Sequence, residues 1–270
     1  MKCILCGGDD FKVLYKGSGW KVSKCKKCGL VKTERKSEVQ DKNYHRDEQY
    51  LKTEKQFENI FKKRFQIINK FVCKKGRIVE IGCSTGILLK LFKDQGWEVL
   101  GIEPSGSYKE AAKKEVEVIN KRFEDLKLPK NKYDVVILNH TLEHLSNPLA
   151  TLKEVNSILK KGGIVFIDVP NFGSLSSLLF RKKFNLLLPK EHNFHFTKDS
   201  LTKLLEKSGF RVNYVETRSG VFDYANPFLE IWMSFSGFKK RFITNLINLP
   251  INTVEKVLDK GTTISIIGEK

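Results

Sequence analysis

The stretch VEIGCSTG, Val79–Gly86, decides the fold. A short apolar run ends in the acid Glu80 and passes into a turn that carries Gly82 and Gly86. A strand that leads through such a turn into a helix is typical of α/β proteins that bind a nucleotide at the helix N-terminus. A carboxylate at Glu80 would repel a pyrophosphate and would suit a ligand with positive charge. The turn therefore favours a cationic nucleotide over a dinucleotide.

The segments around this turn alternate between strand and helix patterns. Apolar runs predict strands at RIVEIG, WEVLGIEPS, VEVIN, YDVVILNH, IVFIDVPN, FRVNYVETR and TTISIIGEK. Alternation of this kind predicts a doubly wound, mostly parallel α/β sheet, in which ligands bind at the carboxyl ends of the strands. Glu103 ends the second strand, where a carboxylate can accept hydrogen bonds from ribose hydroxyls.

Two long segments, VEIGCSTGILLKLFKDQGWEVLGIEPS and YDVVILNHTLEHLSNPLATLKEVNSILKKGGIVFIDVPN, carry a family resemblance. They resemble class I methyltransferases that use S-adenosylmethionine (AdoMet), whose sulfonium and amino group suit Glu80. The resemblance implies a seven-stranded sheet with an antiparallel last strand inserted between the fifth and sixth. A serine at position 84 departs from the commoner glycine and fits there if its φ is negative. By this resemblance the cofactor-binding residues are Glu80, Gly82, Cys83, Ser84, Gly86, Glu103, Pro104, Arg122, Phe123 and Asn139.

Four of the six cysteines form two C-x2-C pairs that are separated by 18 residues. This spacing is typical of a structural zinc ribbon, predicted here for residues 1–35. Gly7 and Gly29 follow the second cysteine of each pair, where a tight turn requires positive φ. Two disulfides are the alternative, which a cytosolic chain disfavours. The predicted zinc ligands are Cys3, Cys6, Cys25 and Cys28.

The rest of the chain divides into a connecting segment and a catalytic domain. Residues 36–75 are predicted to form a linker and a docking helix, and residues 76–270 the AdoMet-dependent methyltransferase domain. A helical insertion at 221–260, before the last strand, is both apolar and basic. It is predicted to cap or pack on the domain, to form a dimer surface, or to make a peripheral membrane contact. No apolar run approaches the ~18 residues of a membrane span, so we expect a cytoplasmic protein, with membrane association left open.

Two histidine-bearing segments could supply a catalytic base. KEHNFHFT, Lys190–Thr197, resembles the segment of zinc-containing sugar C-methyltransferases that carries a Glu–His catalytic pair, and those enzymes also begin with a zinc module. The resemblance implies His192 as general base, Glu191 as its partner or as a substrate ligand, and a tyrosine from the segment after the ribbon, Tyr50 or Tyr44. The alternative is a lid that many small-molecule methyltransferases share.

The second segment is HTLEH, His140–His144, directly after the fourth strand. By the resemblance it forms a wall of the methyl-transfer site, and His140 is the candidate catalytic residue there. Glu143 and His144 either orient this loop or bind a second metal, because a similar pair helps bind a metal in ubiquinone-type O-methyltransferases. An unperturbed imidazole in either segment would titrate at about pH 6.5.

The chain carries 49 basic and 31 acidic residues, a formal net charge of +18. This charge indicates either a solvated, lysine-rich surface or attraction to phosphates, nucleic acids or acidic membranes. The favoured function is methylation, at carbon or oxygen, of a small hydroxylated acceptor such as a nucleotide-sugar, a glycan or a lipid-linked sugar. The alternative is a zinc-ribbon RNA methyltransferase, although NHTLEH lacks the N/D-P-P-Y/F motif of base amino-group methylation. The oligomeric state is not predicted.

Overall fold

The computed structural model describes residues 2–36, 54–237 and 239–270. The contacts divide the chain into two compact units. The first unit comprises Met1–Asp41, Leu128–Thr217 and Thr262–Lys270, and the second comprises Lys42–Lys127 and Arg218–Gly261. The domain boundaries at residues 35 and 75 stay a prediction.

The described elements follow the predicted alternation from residue 77 onward. The strands are β1 (Phe11–Gly17), β2 (Trp20–Cys25), β3 (Val31–Arg35), β4 (Arg77–Ile81), β5 (Glu98–Ile102), β6 (Glu117–Ile119), β7 (Tyr133–Asn139), β8 (Leu159–Pro170), β9 (Phe194–His195), β10 (Arg211–Arg218) and β11 (Thr263–Glu269). The helices are α1 (Glu54–Asn69), α2 (Ile87–Lys93), α3 (Tyr108–Lys113), α4 (Pro148–Ile158), α5 (Leu175–Phe180), α6 (Lys198–Lys207), α7 (Pro227–Gly237) and α8 (Lys239–Val257).

The first unit contributes four strands to the large sheet, in the order β10-β11-β8-β7. β7 and β8 are parallel, and β11 lies antiparallel to β8 from Thr263 opposite Pro170 to Glu269 opposite Ile164. Residues 135–138 of β7 are fully buried, as expected of a strand that is covered on both faces. The predicted antiparallel last strand, inserted between the fifth and sixth, is therefore confirmed.

The first unit also contains a small sheet of order β1-β2-β3-β9. Its first three strands belong to the cysteine-bearing segment, whereas β9 lies far along the chain. In the pairing of β3 with β9, Val31 lies opposite His195 and Lys32 opposite Phe194. The N-terminal segment is thus joined through backbone hydrogen bonds to the segment Lys190–Thr197, which carries His192 and His195.

The second unit contributes three parallel strands in the order β4-β5-β6, which complete the seven strands of the mostly parallel sheet that was predicted. The amphipathic pattern before β4 forms α1, whose Phe65 ring lies 4.8 Å from that of Phe92 in α2. The helical insertion forms α7 and α8. None of the helices in the described ranges is both long and apolar enough to cross a bilayer.

A buried ion cluster ties the insertion to α1 within the second unit. Arg64 and Arg218 are 1% and 2% exposed, and their guanidinium groups lie 2.8 Å and 3.0 Å from Oδ1 of Asp223. Burial alone would raise the pKa of Asp223, but the two guanidinium groups hold it well below its usual range. The carboxylate is therefore charged at every pH at which the protein is expected to fold.

Asp223→Ala should lower the free energy of unfolding at pH 7 by about 3–5 kcal/mol, because it leaves two buried guanidinium groups without their counter-charge. Since the folded-state pKa is depressed, this stabilisation is complete above the unfolded pKa of about 4 and is lost as the pH falls toward the lower folded value. Urea denaturation at pH 7 and at pH 3 measures both effects.

The matched control is Arg211→Ala, which breaks a 2.7 Å pair with Glu269 in which Arg211 is largely exposed. That change should cost less than about 1 kcal/mol. Equal losses for the two variants would contradict the central role of the buried cluster.

Candidate active site

In the second unit, the turn from β4 into α2 is held by a carboxylate at the end of β5. Glu103 accepts a hydrogen bond from the backbone N–H of Ser84 at 2.9 Å on one oxygen and from that of Ser105 at 2.8 Å on the other. The side-chain amide of Asn120 donates to the Glu103 carbonyl at 2.7 Å. Each carboxylate oxygen keeps a second lone pair, so Glu103 can still accept ribose hydroxyls.

The same turn has three residues with left-handed backbone conformation. The φ angles are 76° at Gly82, 46° at Ser84 and 72° at Gly86. A Cβ at Gly86 would lie 2.8 Å from the Cβ of Ala111, so a side chain there would collide with α3. The negative φ expected of Ser84 is not observed. A left-handed conformation is unfavourable for a non-glycine residue. The hydrogen bond from the Ser84 N–H to Glu103 offsets this cost.

Glu80 provides the test of whether a cationic cofactor fits this unit. Its side chain is 2% exposed, and its Oε2 atom has no hydrogen-bond partner among the described residues. Burial, and then the charge of Glu103, raise the pKa of Glu80 well above its usual value. A buried acid with an unsatisfied oxygen is a site for a cation or a donor. The amino group of AdoMet would satisfy it, so the residues present fit this cofactor.

The other predicted cofactor residues differ in their surroundings. Burial and the neighbouring Glu80 raise the pKa of the Cys83 thiol, which is therefore neutral. Phe123 is buried, and Arg122 and Pro104 are exposed. Asn139 belongs to the first unit, where it ends β7 with a buried Oδ1 that lacks a hydrogen-bond partner in the described part of the chain. Their contacts with a cofactor stay a prediction.

Glu103→Ala should weaken AdoMet binding by about 1.5–3 kcal/mol, the value of a hydrogen bond to a charged group. Glu103→Gln keeps one acceptor oxygen and should recover part of this loss. Isothermal titration calorimetry measures both. Glu98→Ala, an exposed acid on the same strand, is the control and should leave affinity unchanged. Wild-type affinity in Glu103→Ala would remove Glu103 from the cofactor site.

The first unit holds a buried carboxylate surrounded by imidazoles. Glu143 is 1% exposed and lies in the short turn Leu142–His144 after β7. Its Oε1 is 3.4 Å from Nδ1 of His140 and 4.0 Å from Nε2 of His192. The rings of His144 and His192 meet edge to face with centroids 4.7 Å apart. The two histidine-bearing segments of the sequence therefore converge on one acid.

Burial determines the charges in this cluster. Burial opposes ionisation of Glu143, but His140 and the other neighbouring histidines lower its pKa to about 2. Burial lowers the pKa of His192 to about 3 and that of His195 to about 4. At neutral pH the Glu143 carboxylate thus lies beside the neutral imidazole of His192, which can accept a proton. The unperturbed value of about 6.5 does not apply to His192.

His140 adopts an unusual backbone conformation at the carboxyl end of β7, with φ of 52°. Its Nε2 lies 3.7 Å from Oδ1 of the buried Asp168, whose Oδ2 accepts a hydrogen bond from the Ser265 hydroxyl at 2.6 Å. Its side chain is 30% exposed. A strained residue between two buried acids is characteristic of functional sites.

Two groups of side chains in the described part of the chain could hold a metal ion. Glu143, His144 and His192 each offer a ligand atom, all within 4.8 Å of one another. Nδ1 of His144 faces the Glu191 carbonyl oxygen at 3.3 Å, and a proton donated there leaves Nε2 as the ligand atom. The cluster could therefore act either as a base or as a second metal site.

The other group is the four cysteines, which are all free thiols. Sγ atoms lie 3.5 Å apart in the pairs Cys3–Cys28 and Cys6–Cys25, far beyond a disulfide bond of about 2.05 Å. The positive φ predicted at Gly7 and Gly29 is observed, at 73° and 80°. Sulfurs at these separations fit the corners of a tetrahedron around one ion with bonds of about 2.3 Å.

The cysteine segment also fixes the histidine loop. Thr33 Oγ1 lies 2.8 Å from Nε2 of His195. Arg35 donates to the carbonyl oxygens of Pro189 at 2.8 Å and His192 at 2.9 Å, and to Oδ1 of Asn193 at 2.7 Å. This network holds the loop that carries His192 against β3.

Asn193 extends the network to the acid. The Asn193 backbone N–H donates to the backbone carbonyl oxygen of Glu143 at 2.8 Å. Its side-chain amide donates to the backbone carbonyl oxygen of His144 at 2.6 Å. The sequence analysis did not identify Thr33, Arg35 or Asn193. Nothing in the ribbon sequence indicated that its last strand would pair with residues more than 150 positions away.

The structure does not confirm three of the residues predicted to take part in catalysis, Glu191, Tyr50 and Tyr44. Glu191 is exposed, and the carboxylate that the structure places beside His192 is Glu143. The role of Glu191 as the partner of His192 stays a prediction. Tyr50 and Tyr44 lie outside the described residues.

The strand–turn–helix with its two acids, set in a seven-stranded sheet with an antiparallel last strand, defines a class I AdoMet-dependent methyltransferase. The chain belongs to the Methyltransferase domain family, which matches residues 47–215. It is 30% identical over 166 residues to an uncharacterised protein of Methanocaldococcus jannaschii, a match that covers 61% of this chain and 78% of the relative.

Two further similarities agree with this membership. The chain is 29% identical over 173 residues to a ubiquinone biosynthesis O-methyltransferase of Bradyrhizobium, with 59% of this chain and 66% of the relative covered. A solved SAM-dependent methyltransferase of Archaeoglobus fulgidus superposes with a TM-score of 0.59 at 24% identity, over 84% of this chain and all of that one. The structural similarity supports the fold.

Purified protein should contain one zinc ion per chain by elemental analysis, and Cys25→Ser should lose it. Because β3 pairs with β9, loss of the metal should release the loop at 189–195 and lower methyl transfer. AdoMet affinity should stay near wild type, since Glu80 and Glu103 belong to the other unit. Cys73→Ser, an exposed thiol outside the group, is the control. A zinc-free wild-type protein would contradict the ribbon assignment.

Proposed function

We propose that the protein transfers the methyl group of AdoMet to an oxygen or carbon atom of a small hydroxylated acceptor: a nucleotide-sugar, a glycan or a lipid-linked sugar. The observation that carries this proposal is the buried Glu143 carboxylate beside the neutral His192. A neutral amine can attack a sulfonium without help, whereas a hydroxyl group or a carbon acid must lose a proton. A site that provides a buried base therefore favours oxygen or carbon as the acceptor atom.

Bound AdoMet supplies an electrophilic methyl group on its sulfonium. Glu80 would hold its amino group and Glu103 its ribose. His192 has one nitrogen, Nε2, that faces Glu143, and another, Nδ1, that is buried without a hydrogen-bond partner among the described residues. A proton on Nε2 leaves Nδ1 as the acceptor of the substrate proton.

Glu143 would act on His192 through charge. Its carboxylate stabilises the imidazolium that forms when Nδ1 takes a proton, as the acid does in a Ser-His-Asp triad. His140 lies beside the same carboxylate and is the second candidate for contact with the acceptor. His140 and Glu143 both lie in the turn after β7, at the carboxyl end of the strand, where substrates of this fold class bind.

The surroundings of His192 are mostly apolar, and the net charge of the chain favours an anionic acceptor. His192 and His195 line a small cavity with the apolar side chains Pro170, Phe172, Phe184, Leu186 and Phe194. Aromatic and apolar walls with a few polar groups are usual for small-molecule sites. The net charge of +18 favours an acceptor that carries phosphate. The relatives that are ubiquinone biosynthesis O-methyltransferases support oxygen as the methylated atom.

His192→Ala and Glu143→Gln should each lower turnover about 10²–10⁴-fold, the usual contribution of general acid–base catalysis, and leave AdoMet affinity nearly intact. Transfer of a radiolabelled methyl group to a panel of nucleotide-sugars, lipid-linked sugars and phenols gives the rate. RNA serves as the competing acceptor, and preferred labelling of RNA would overturn the small-molecule proposal.

Glu191→Gln is the matched control, because it changes an exposed acid next to His192. It should keep near-wild-type turnover, and a loss equal to that of Glu143→Gln would assign the partner role to Glu191. Since burial lowers the pKa of His192 to about 3, the rate should be constant from about pH 5 to pH 8. A rising limb centred near pH 6.5 that disappears in His192→Ala would show that the base titrates as an unperturbed imidazole.

A further inference from the structure

The insertion α7–α8 packs on its own unit with polar side chains and presents apolar ones outward. Among its described side chains, the four that are buried are all polar: Glu230, Ser234, Asn252 and Glu255. Helices at a protein surface normally have the opposite arrangement, with an apolar stripe toward the core. The inversion indicates that something apolar covers the outer face.

The polar contacts hold the insertion firmly to its unit. The Ser234 hydroxyl donates to Oε1 of Glu230 at 3.3 Å, and Asn59 in α1 opposes the rise that burial causes in the pKa of Glu230. The Asn59 carbonyl oxygen accepts the backbone N–H of Ala225 at 3.1 Å, just before α7. Polar groups of the inner face therefore meet α1, and the most exposed large side chains of the insertion are apolar.

The outer face repeats at helical spacing in both helices. Phe228 is 83% exposed, Trp232 69% and Ile247 70%. Intervals of three and four residues place apolar side chains on one side of a helix. The exposed apolar positions include Phe228, Trp232, Phe235, Ile243, Leu246 and Ile247.

Charge decides between the possible occupants of this face. Lys239, Lys240 and Arg241 begin α8 in the sequence, and Lys256 and Lys260 are exposed at its end. Tryptophan and phenylalanine flanked by basic residues are typical of helices that lie in the membrane interface. A second copy of the chain would bring another net charge of +18, whereas anionic lipid compensates it.

We propose that α7 and α8 lie on an anionic membrane surface, with their apolar face in the headgroup region. This inference goes beyond the proposed reaction and does not depend on the identity of the acceptor. It needs no spanning helix, since an interfacial helix buries only one face.

The first unit has a second feature of the same kind. In α5, Ser176 and Ser177 are buried, while Leu178, Leu179 and Phe180 are 54–60% exposed. The three residues that follow, 181–183, are all basic and exposed. An apolar patch next to three cations again fits anionic lipid.

Vesicle sedimentation of the full chain tests the proposal. Vesicles of phosphatidylcholine with about one third phosphatidylglycerol should bind the protein, and pure phosphatidylcholine should bind it much less. Trp232→Ser and Ile247→Ser should each weaken the partition about tenfold by removing buried apolar area. Val13→Ser, an exposed apolar residue on β1 (40% exposed), is the control and should bind as wild type.

Two measurements separate membrane contact from other causes. Brominated lipid should quench tryptophan fluorescence in the wild type, and Trp232→Phe should lose the quenching yet still bind vesicles. AdoMet affinity should be unchanged in every variant, which shows that each is folded. Failure to bind anionic vesicles overturns the proposal. So does a dimer, seen by light scattering, that Trp232→Ser converts to a monomer without any effect on vesicle binding.

Discussion

The burial of carboxylates is the constraint on which the sites in this structure depend. Glu80 and Glu143 are both almost completely buried, yet their pKa values shift in opposite directions. Burial raises the pKa of Glu80 beside a second acid, while the surrounding histidines lower that of Glu143 to about 2. A buried acid is stable only with a donor or a positive charge nearby. Glu143 has the imidazoles of His140 and His192 within 4.0 Å, whereas Glu80 lies beside a second acid and would take its donor from a ligand.

This difference explains how one chain can separate cofactor binding from proton transfer. The second unit offers an acid that is incomplete until a cation binds, which favours a sulfonium nucleotide over one with a pyrophosphate. The first unit offers an ionised acid that orients neutral histidines and can stabilise one of them after it takes a proton. The two proposed roles use different residues, so we expect that each can be removed by substitution without loss of the other.

The cysteine segment has too few residues to form a stable core by itself, since small modules usually need metals or disulfides. Here its third strand makes a continuous sheet with β9, and Arg35 holds three groups of the histidine loop. Free energy from metal binding would therefore stabilise the position of His192 as well as the ribbon. The N-terminal segment therefore contributes to the candidate active site through β3 and Arg35.

Much of this could be predicted from local sequence. The glycine turn, the acids at Glu80 and Glu103 and the order of the strands follow from patterns of a few residues, and the antiparallel last strand from the family resemblance. The pairing of β3 with β9 could not be predicted, because it joins segments that no local pattern connects. For the same reason, the family resemblance indicates the adjacent Glu191 as the partner of His192, whereas the carboxylate that lies 4.0 Å from His192 in the structure is Glu143, from another loop.

The insertion shows a further limit of sequence patterns. Periodicity identified an apolar face in α7 and α8, but periodicity alone does not say whether that face points to the core. The usual inference, that the apolar side is the buried one, fails here because the buried side chains described in the two helices are the polar Glu230, Ser234, Asn252 and Glu255. A polar inner face leaves the apolar face available for another surface. The direction of an amphipathic helix therefore depends on the element against which it packs, and only the folded chain shows which element that is.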